Sequence, residues 1–62
     1  MDTTRLVLII DDEVNLRRSL SVILQRAGYA VTTTCGAQEA WLALQASAFD
    51  LVLLDIKMPG TS

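Results

Sequence analysis

Leu6-Val7-Leu8-Ile9-Ile10-Asp11-Asp12 sets the architecture of this chain. A run of branched apolar residues stops abruptly at two carboxylates. A strand with one wet face alternates apolar with polar residues, but this run is apolar at both parities. It therefore predicts a strand buried on both faces, as in a parallel sheet. From Glu13 the period changes. Leu16, Leu20, Ile23, Leu24 and Ala27 share one helical face, while Asn15, Arg17, Arg18, Ser21 and Gln25 take the other, which reads as solvated. Acidic residues lie at the start of this helix, Arg26 is in its last turn, and Gly28 stands where a left-handed C-cap is wanted.

Tyr29-Ala30-Val31-Thr32-Thr33 is β-prone but more polar, so it predicts an edge strand. After Gly36, the residues Ala37, Ala40, Trp41 and Leu44 mark a second helix with a thin apolar face and Trp41 as its packing anchor. Asp50 reads as a turn residue. Leu51-Val52-Leu53-Leu54 is a third strand, again apolar on both sides and again ended by an aspartate, Asp55. Strand, helix, strand, helix, strand with short loops makes an α/β chain with a parallel sheet. Right-handed crossovers, an outer second strand and adjacent apolar strands give the order 2-1-3, with the helices on opposite faces. Ligands of such sheets bind beyond the carboxyl ends of the strands, where strand order reverses. That point falls between the first and third strands, and aspartate follows both.

Composition excludes several function classes. Sixty-two residues allow one domain at most. With 52% hydrophobic and 19% charged residues, the chain is not a disordered tail. Five basic against seven acidic residues leave a net charge of −2, without the basic stripe that grips nucleic acid. One cysteine, Cys35, and no histidine exclude a disulfide framework and a Cys/His metal site, and fit a reducing compartment. No apolar run approaches the ~20 residues of a membrane span. The expectation is a soluble, cytoplasmic protein whose segment here touches neither nucleic acid nor membrane.

Asp11, Asp12 and Asp55 are expected at one edge of the sheet. Carboxylates ~5 Å apart at an effective dielectric near 20 repel by roughly 3 kcal/mol per pair. Such a cluster persists if it binds a hard cation or if one member stays protonated. All-oxygen ligands favour Mg²⁺, which takes one or two carboxylates and recruits phosphate oxygens. An aspartate beside such a cation is also a candidate nucleophile, because Asp forms aspartyl-phosphates.

Ile9-Ile10-Asp11-Asp12-Glu13, the Ala27-Gly28-Tyr29 helix end, the Gly36 to Ala40 helix start and Leu51 to Gly60, with its Asp-x-x-Met-Pro-Gly motif, resemble the receiver domain of two-component response regulators. The resemblance implies a flavodoxin-like fold and a phosphoryl group taken from a histidine kinase onto Asp55. It implies Mg²⁺ held directly by Asp12, through water by Asp11, and by Asp55 and the backbone carbonyl of Lys57. Pro59 and Gly60 correspond to the turn that shapes the following loop. Such a module assists its own phosphorylation and is not a turnover enzyme; transcriptional control is a common output in the family.

The resemblance also implies that residues 1–62 are the N-terminal part of a receiver, truncated after its third strand. The family's Ser/Thr after the fourth strand and Lys after the fifth have no counterpart in these residues. An open third strand then predicts pairing with a second copy, so the alternative is a non-phosphorylating fragment that serves only as a dimerisation or interaction module. Competing α/β classes fit poorly. A dinucleotide-binding unit wants Gly-x-Gly-x-x-Gly after the first strand, where this chain has no glycine, and a dehalogenase-type phosphatase wants aspartates at alternate positions. Asp11-Asp12 as a simple helix cap is disfavoured by the presence of Asp55 and Met58-Pro59-Gly60. Cys35 has no basic partner nearby in sequence and reads as inert.

Overall fold

Successive side chains of a strand point to opposite faces, so burial of consecutive residues requires cover on both sides. Val7, Leu8 and Ile9 are all buried in the computed structural model, which describes residues 4–55. They lie in β1 (Leu6–Asp11), the central strand of a sheet ordered β2-β1-β3, with β2 (Ala30–Thr34) and β3 (Leu51–Asp55) parallel to it. The βαβαβ architecture and the 2-1-3 order match the expectation. The expectations for Lys57, Pro59 and Gly60 concern positions outside the described residues.

The two crossovers are α1 (Val14–Arg26) and α2 (Ala37–Ala46). Ile10 and its register partner Leu54 line a groove under α2, whereas Thr33, the partner of Ile9, lies against α1. Neighbouring parities thus carry different helices, and the helices cover opposite faces. Ala40 is the one buried residue of α2, and its methyl group lets the helix approach the sheet closely. Neither helix seals its face. No residue of α1 is buried, and Ile23 on its apolar side is 60% exposed. Trp41, expected as an anchor, is 63% exposed, because the small residues of α2 take the sheet contact and the indole stands beside it. β3 also departs from its apolar pattern. Leu51, Val52 and Leu54 are exposed because β3 has β1 on one side and forms the sheet edge among the described residues.

Local chemistry ends the helices where the sequence suggests. The Tyr29 N–H donates to the Leu24 carbonyl and the Gly28 N–H to Gln25, both at 3.0 Å, and Gly28 adopts φ +100°. These are the paired bonds of a Schellman motif, which needs a residue tolerant of the left-handed region. At the start of α2, the Glu39 carboxylate reaches back to accept from the Cys35 N–H at 3.3 Å. Thr34 is buried at the end of β2, and its hydroxyl donates to the Ile9 carbonyl at 3.3 Å. Among the described residues, no helix is long and apolar enough to cross a membrane.

Asp50 does more than turn the chain. Its N–H donates to the Leu6 carbonyl at 2.8 Å, and its Oδ2 accepts from the Leu6 N–H at 2.8 Å. This reciprocal pair clamps the entrances of β1 and β3 in the register that runs from Val7 opposite Leu51 to Asp11 opposite Asp55. Asp50→Ala removes the side-chain half of the clamp. Because the bond is solvent-accessible, the expected loss is about 1 kcal/mol, and Asp50→Asn recovers most of it through its remaining amide oxygen. Urea unfolding midpoints of the three chains check this; equal midpoints for wild type and Asp50→Ala would remove the clamp from the account of register.

Candidate metal centre

The register carries two aspartates to the same level. The β1–β2 ladder ends at Ile10–Thr34, but the β1–β3 ladder runs one residue further, to Asp11–Asp55. Adjacent strands lie about 4.8 Å apart, so the backbones at Asp11 and Asp55 are neighbours at the carboxyl edge of the sheet. Asp12 follows on the turn into α1 and is exposed. The sequence expectation that these positions share one edge is met in the backbone.

Asp11 is only 1% exposed. Its Oδ1 accepts the Glu13 N–H at 2.8 Å, an Asx-type turn that leads into α1. Glu13 then opens the helix as its N-cap in extended conformation, with its carbonyl accepting from the Arg17 N–H at 3.0 Å. The other oxygen of Asp11, Oδ2, is buried and has no hydrogen-bond partner. A buried acceptor left unsatisfied costs on the order of 1–3 kcal/mol, and more if it is charged. An oxygen in that state is chemically fitted to a hard cation, and the neighbouring donors are all oxygen. Among the described residues, whose side chains do not include that of Asp55, no group of three or more His, Cys, Asp or Glu gathers as a ready metal cluster. The fit therefore rests on the orphaned Asp11 oxygen, the adjacent Asp12 and the backbone level of Asp55.

Beside the aspartates lies an open groove of about 470 Å³, mostly apolar, with Ile10, Leu54, Trp41 and Leu44 among its walls and Asp11 and Asp12 on its rim. Cys35 also borders it and is exposed. Arg17, assigned by periodicity to a solvated face, is half-buried instead. Its Nη1 donates to the Asp11 backbone carbonyl at 2.8 Å. Hydropathy periodicity carries no signal for this bond, because a long arginine can leave its helical face to reach an uncapped carbonyl. Arg18, next to it, is exposed as expected.

The response regulator receiver domain family matches residues 7–62. A probable transcriptional regulator, ycf27, of Cyanidium caldarium is 42% identical over 53 residues, which cover 86% of this chain and 21% of that protein. The transcriptional regulatory protein ResD of Bacillus subtilis is 40% identical over 55 residues, covering 89% of this chain and 23% of that protein. The chemotaxis response regulator CheY4 of Vibrio cholerae superposes with a TM-score of 0.86 at 37% identity, over 97% of this chain and 50% of that one. The chain thus spans about a fifth to a quarter of the length of these curated relatives and half of the solved one.

The orphaned oxygen makes a signed prediction about stability. Asp11→Asn keeps an oxygen for the Glu13 N–H and removes a buried, half-satisfied charge. In metal-free buffer the variant is expected to be more stable than wild type by about 1 kcal/mol. Urea unfolding in the presence of a chelator measures it. A destabilised variant would show that the Asp11 charge is well satisfied without a cation.

Proposed function

The chain belongs to the response regulator receiver domain family, and from that premise we propose that it is a phosphoacceptor module of a two-component phosphorelay, modified on Asp55. The supporting observation is the register that sets Asp55 opposite Asp11 at the carboxyl edge of the sheet, with one Asp11 oxygen buried and unpartnered. Mg²⁺ is the proposed cofactor, held by Asp12, Asp55 and the Lys57 backbone carbonyl and, through water, by Asp11. When bound, this cation neutralises charge on the incoming phosphoryl group. The chain's own chemistry is nucleophilic. A carboxylate oxygen of Asp55 attacks phosphorus in line as the P–N bond of a kinase phosphohistidine breaks, and the electron pair of that bond stays with the imidazole. The product is an acyl phosphate on Asp55, so the module is consumed as an acceptor and is not a turnover enzyme.

Each partner follows from this reading. The phosphodonor is a histidine kinase, the setting is cytoplasmic, and transcriptional control is the proposed output of the whole protein, in keeping with relatives named as transcriptional regulators. Residues 1–62 act as the N-terminal part of the receiver. In the presence of Mg²⁺ and a small acyl phosphate, label is expected on Asp55 and absent from Asp55→Asn. Asp12→Ala is expected to weaken Mg²⁺ binding at least tenfold, read by Trp41 fluorescence. Label persisting in the Asn variant would overturn the site.

One observation favours a second role, association through β3. Among the described residues, Leu51, Val52 and Leu54 are exposed along an edge strand that carries neither proline nor charge before Asp55, and such an edge templates pairing with another chain. Two copies paired about a two-fold axis would form a six-stranded sheet with an isologous interface. Sedimentation equilibrium is expected to show a dimer that Val52→Lys weakens and Gln25→Lys does not. A monomer over the whole concentration series refutes this role and leaves the phosphoacceptor reading untouched.

A further inference from the structure

We propose that Arg17 is a positioning residue for the acidic centre, holding the strand end that carries Asp11 and with it the Asp11-Asp12-Glu13 turn. Its Nη1 donates at 2.8 Å to the Asp11 carbonyl, six positions back along the chain. The same short segment is closed by two further bonds, Glu13 N–H to Asp11 Oδ1 at 2.8 Å and Arg17 N–H to the Glu13 carbonyl at 3.0 Å. Asp11 is therefore gripped at its carbonyl and at one carboxylate oxygen, and the turn that presents Asp12 has a closed hydrogen-bond circuit around it. What remains free is Asp11 Oδ2. The circuit leaves one carboxylate oxygen of Asp11 for a ligand and fixes the orientation of the other.

A guanidinium suits this task better than an ammonium because its planar fork spreads one charge over several donors. Among the described residues it meets a carbonyl and not a carboxylate, so the bond orients the backbone without neutralising Asp11 or Asp12. The neighbouring Arg18 provides an internal control, since it carries the same charge one position further along α1 and is exposed.

Charge and positioning make opposite predictions. If Arg17 acted only as a nearby positive charge, Arg17→Met would relieve repulsion and strengthen Mg²⁺ binding. As a positioning residue, its loss disorders the turn and weakens Mg²⁺ binding, on the order of tenfold, as loss of an outer-shell partner does at other metal centres. The part of the proposal that concerns Mg²⁺ rests on the phosphoacceptor reading, and the part that concerns the turn does not.

The experiment separates them on the full chain by NMR. In metal-free wild type, the Arg17 guanidinium is expected to show slowed rotation and resolved Nη signals, and a freely rotating group overturns the proposal without any variant. In Arg17→Met, the Glu13 amide is expected to exchange with solvent about tenfold faster, whereas Arg18→Met leaves it unchanged and Arg17→Lys restores only part of the protection. Unchanged Glu13 exchange in Arg17→Met overturns the clamp. Titration with MgCl₂ then reads affinity. Weaker binding in Arg17→Met but not in Arg18→Met supports positioning, and equal or tighter binding overturns it. Wild type that binds no Mg²⁺ refutes the metal reading alone, because the exchange and rotation measurements still decide the clamp.

Discussion

The parallel pairing of β1 with a neighbour on each side is the constraint on which the rest of the structure depends. A central strand can satisfy its backbone groups only through its two neighbours, so β2 and β3 must run alongside it over nearly its full length. Register is then fixed by side-chain parity. A slip of one residue would turn Val7 and Ile9 from the α1 face to the α2 face and reverse every contact of both helices. The Asp50 clamp at one end and the Asp11–Asp55 pair at the other belong to the same ladder. A hydrogen bond at the strand entrance therefore bears on the level of the two aspartates at the strand exit.

That placement sits in tension with stability. Asp11 is nearly as buried as the apolar residues before it, yet one of its oxygens has no partner. A valine in its place would leave no buried oxygen without a partner, though the Glu13 N–H would lose its acceptor. Keeping a carboxylate there costs folding energy, which a ligand bound to that oxygen would offset. Among the described residues apolar cover does little to compensate, because α1 buries no residue completely and α2 buries only Ala40. The bonds around the Asp11-Asp12-Glu13 turn are the hydrogen bonds that hold it among the described residues.

Much of this was legible in the sequence, and the legible parts share a cause. Leu6 to Ile10 announces a doubly covered strand because hydropathy parity maps directly onto sheet faces. Gly28 announces a helix end because few residues other than glycine tolerate φ +100°. The carboxyl-edge position of Asp11 and Asp55 follows from topology once the 2-1-3 order is accepted. What stayed hidden depends on reach or on neighbours. Arg17 lies on the polar side of its helix by period, but its length carries the guanidinium to a backbone carbonyl. Asp50 looks like any turn aspartate until Leu6, 44 residues earlier, is placed beside it. Trp41, Leu51 and Leu54 read as core, yet they are exposed among the described residues, because hydropathy reports what a residue prefers and not what covers it.

The position of the acidic centre follows from how the crossovers leave the sheet. After β1 the chain departs to one face through α1, and after β2 it returns across the opposite face through α2. The diverging connections leave a notch at the carboxyl edge between β1 and β3, where neither helix passes over the strand ends. The ladders mark the same notch, since β2 stops pairing at Thr34 while β3 continues one residue further to Asp55. Asp11 thus sits at the last paired level of the sheet, low enough for its carboxylate to be buried and high enough to border the groove beside Asp12. One residue earlier, at Ile10, a carboxylate would face the apolar underside of α2. One residue later, at Asp12, it is already in water. The strand end is where an aspartate can be held rigidly and still reach a ligand, and this chain places one at the end of both strands that meet there.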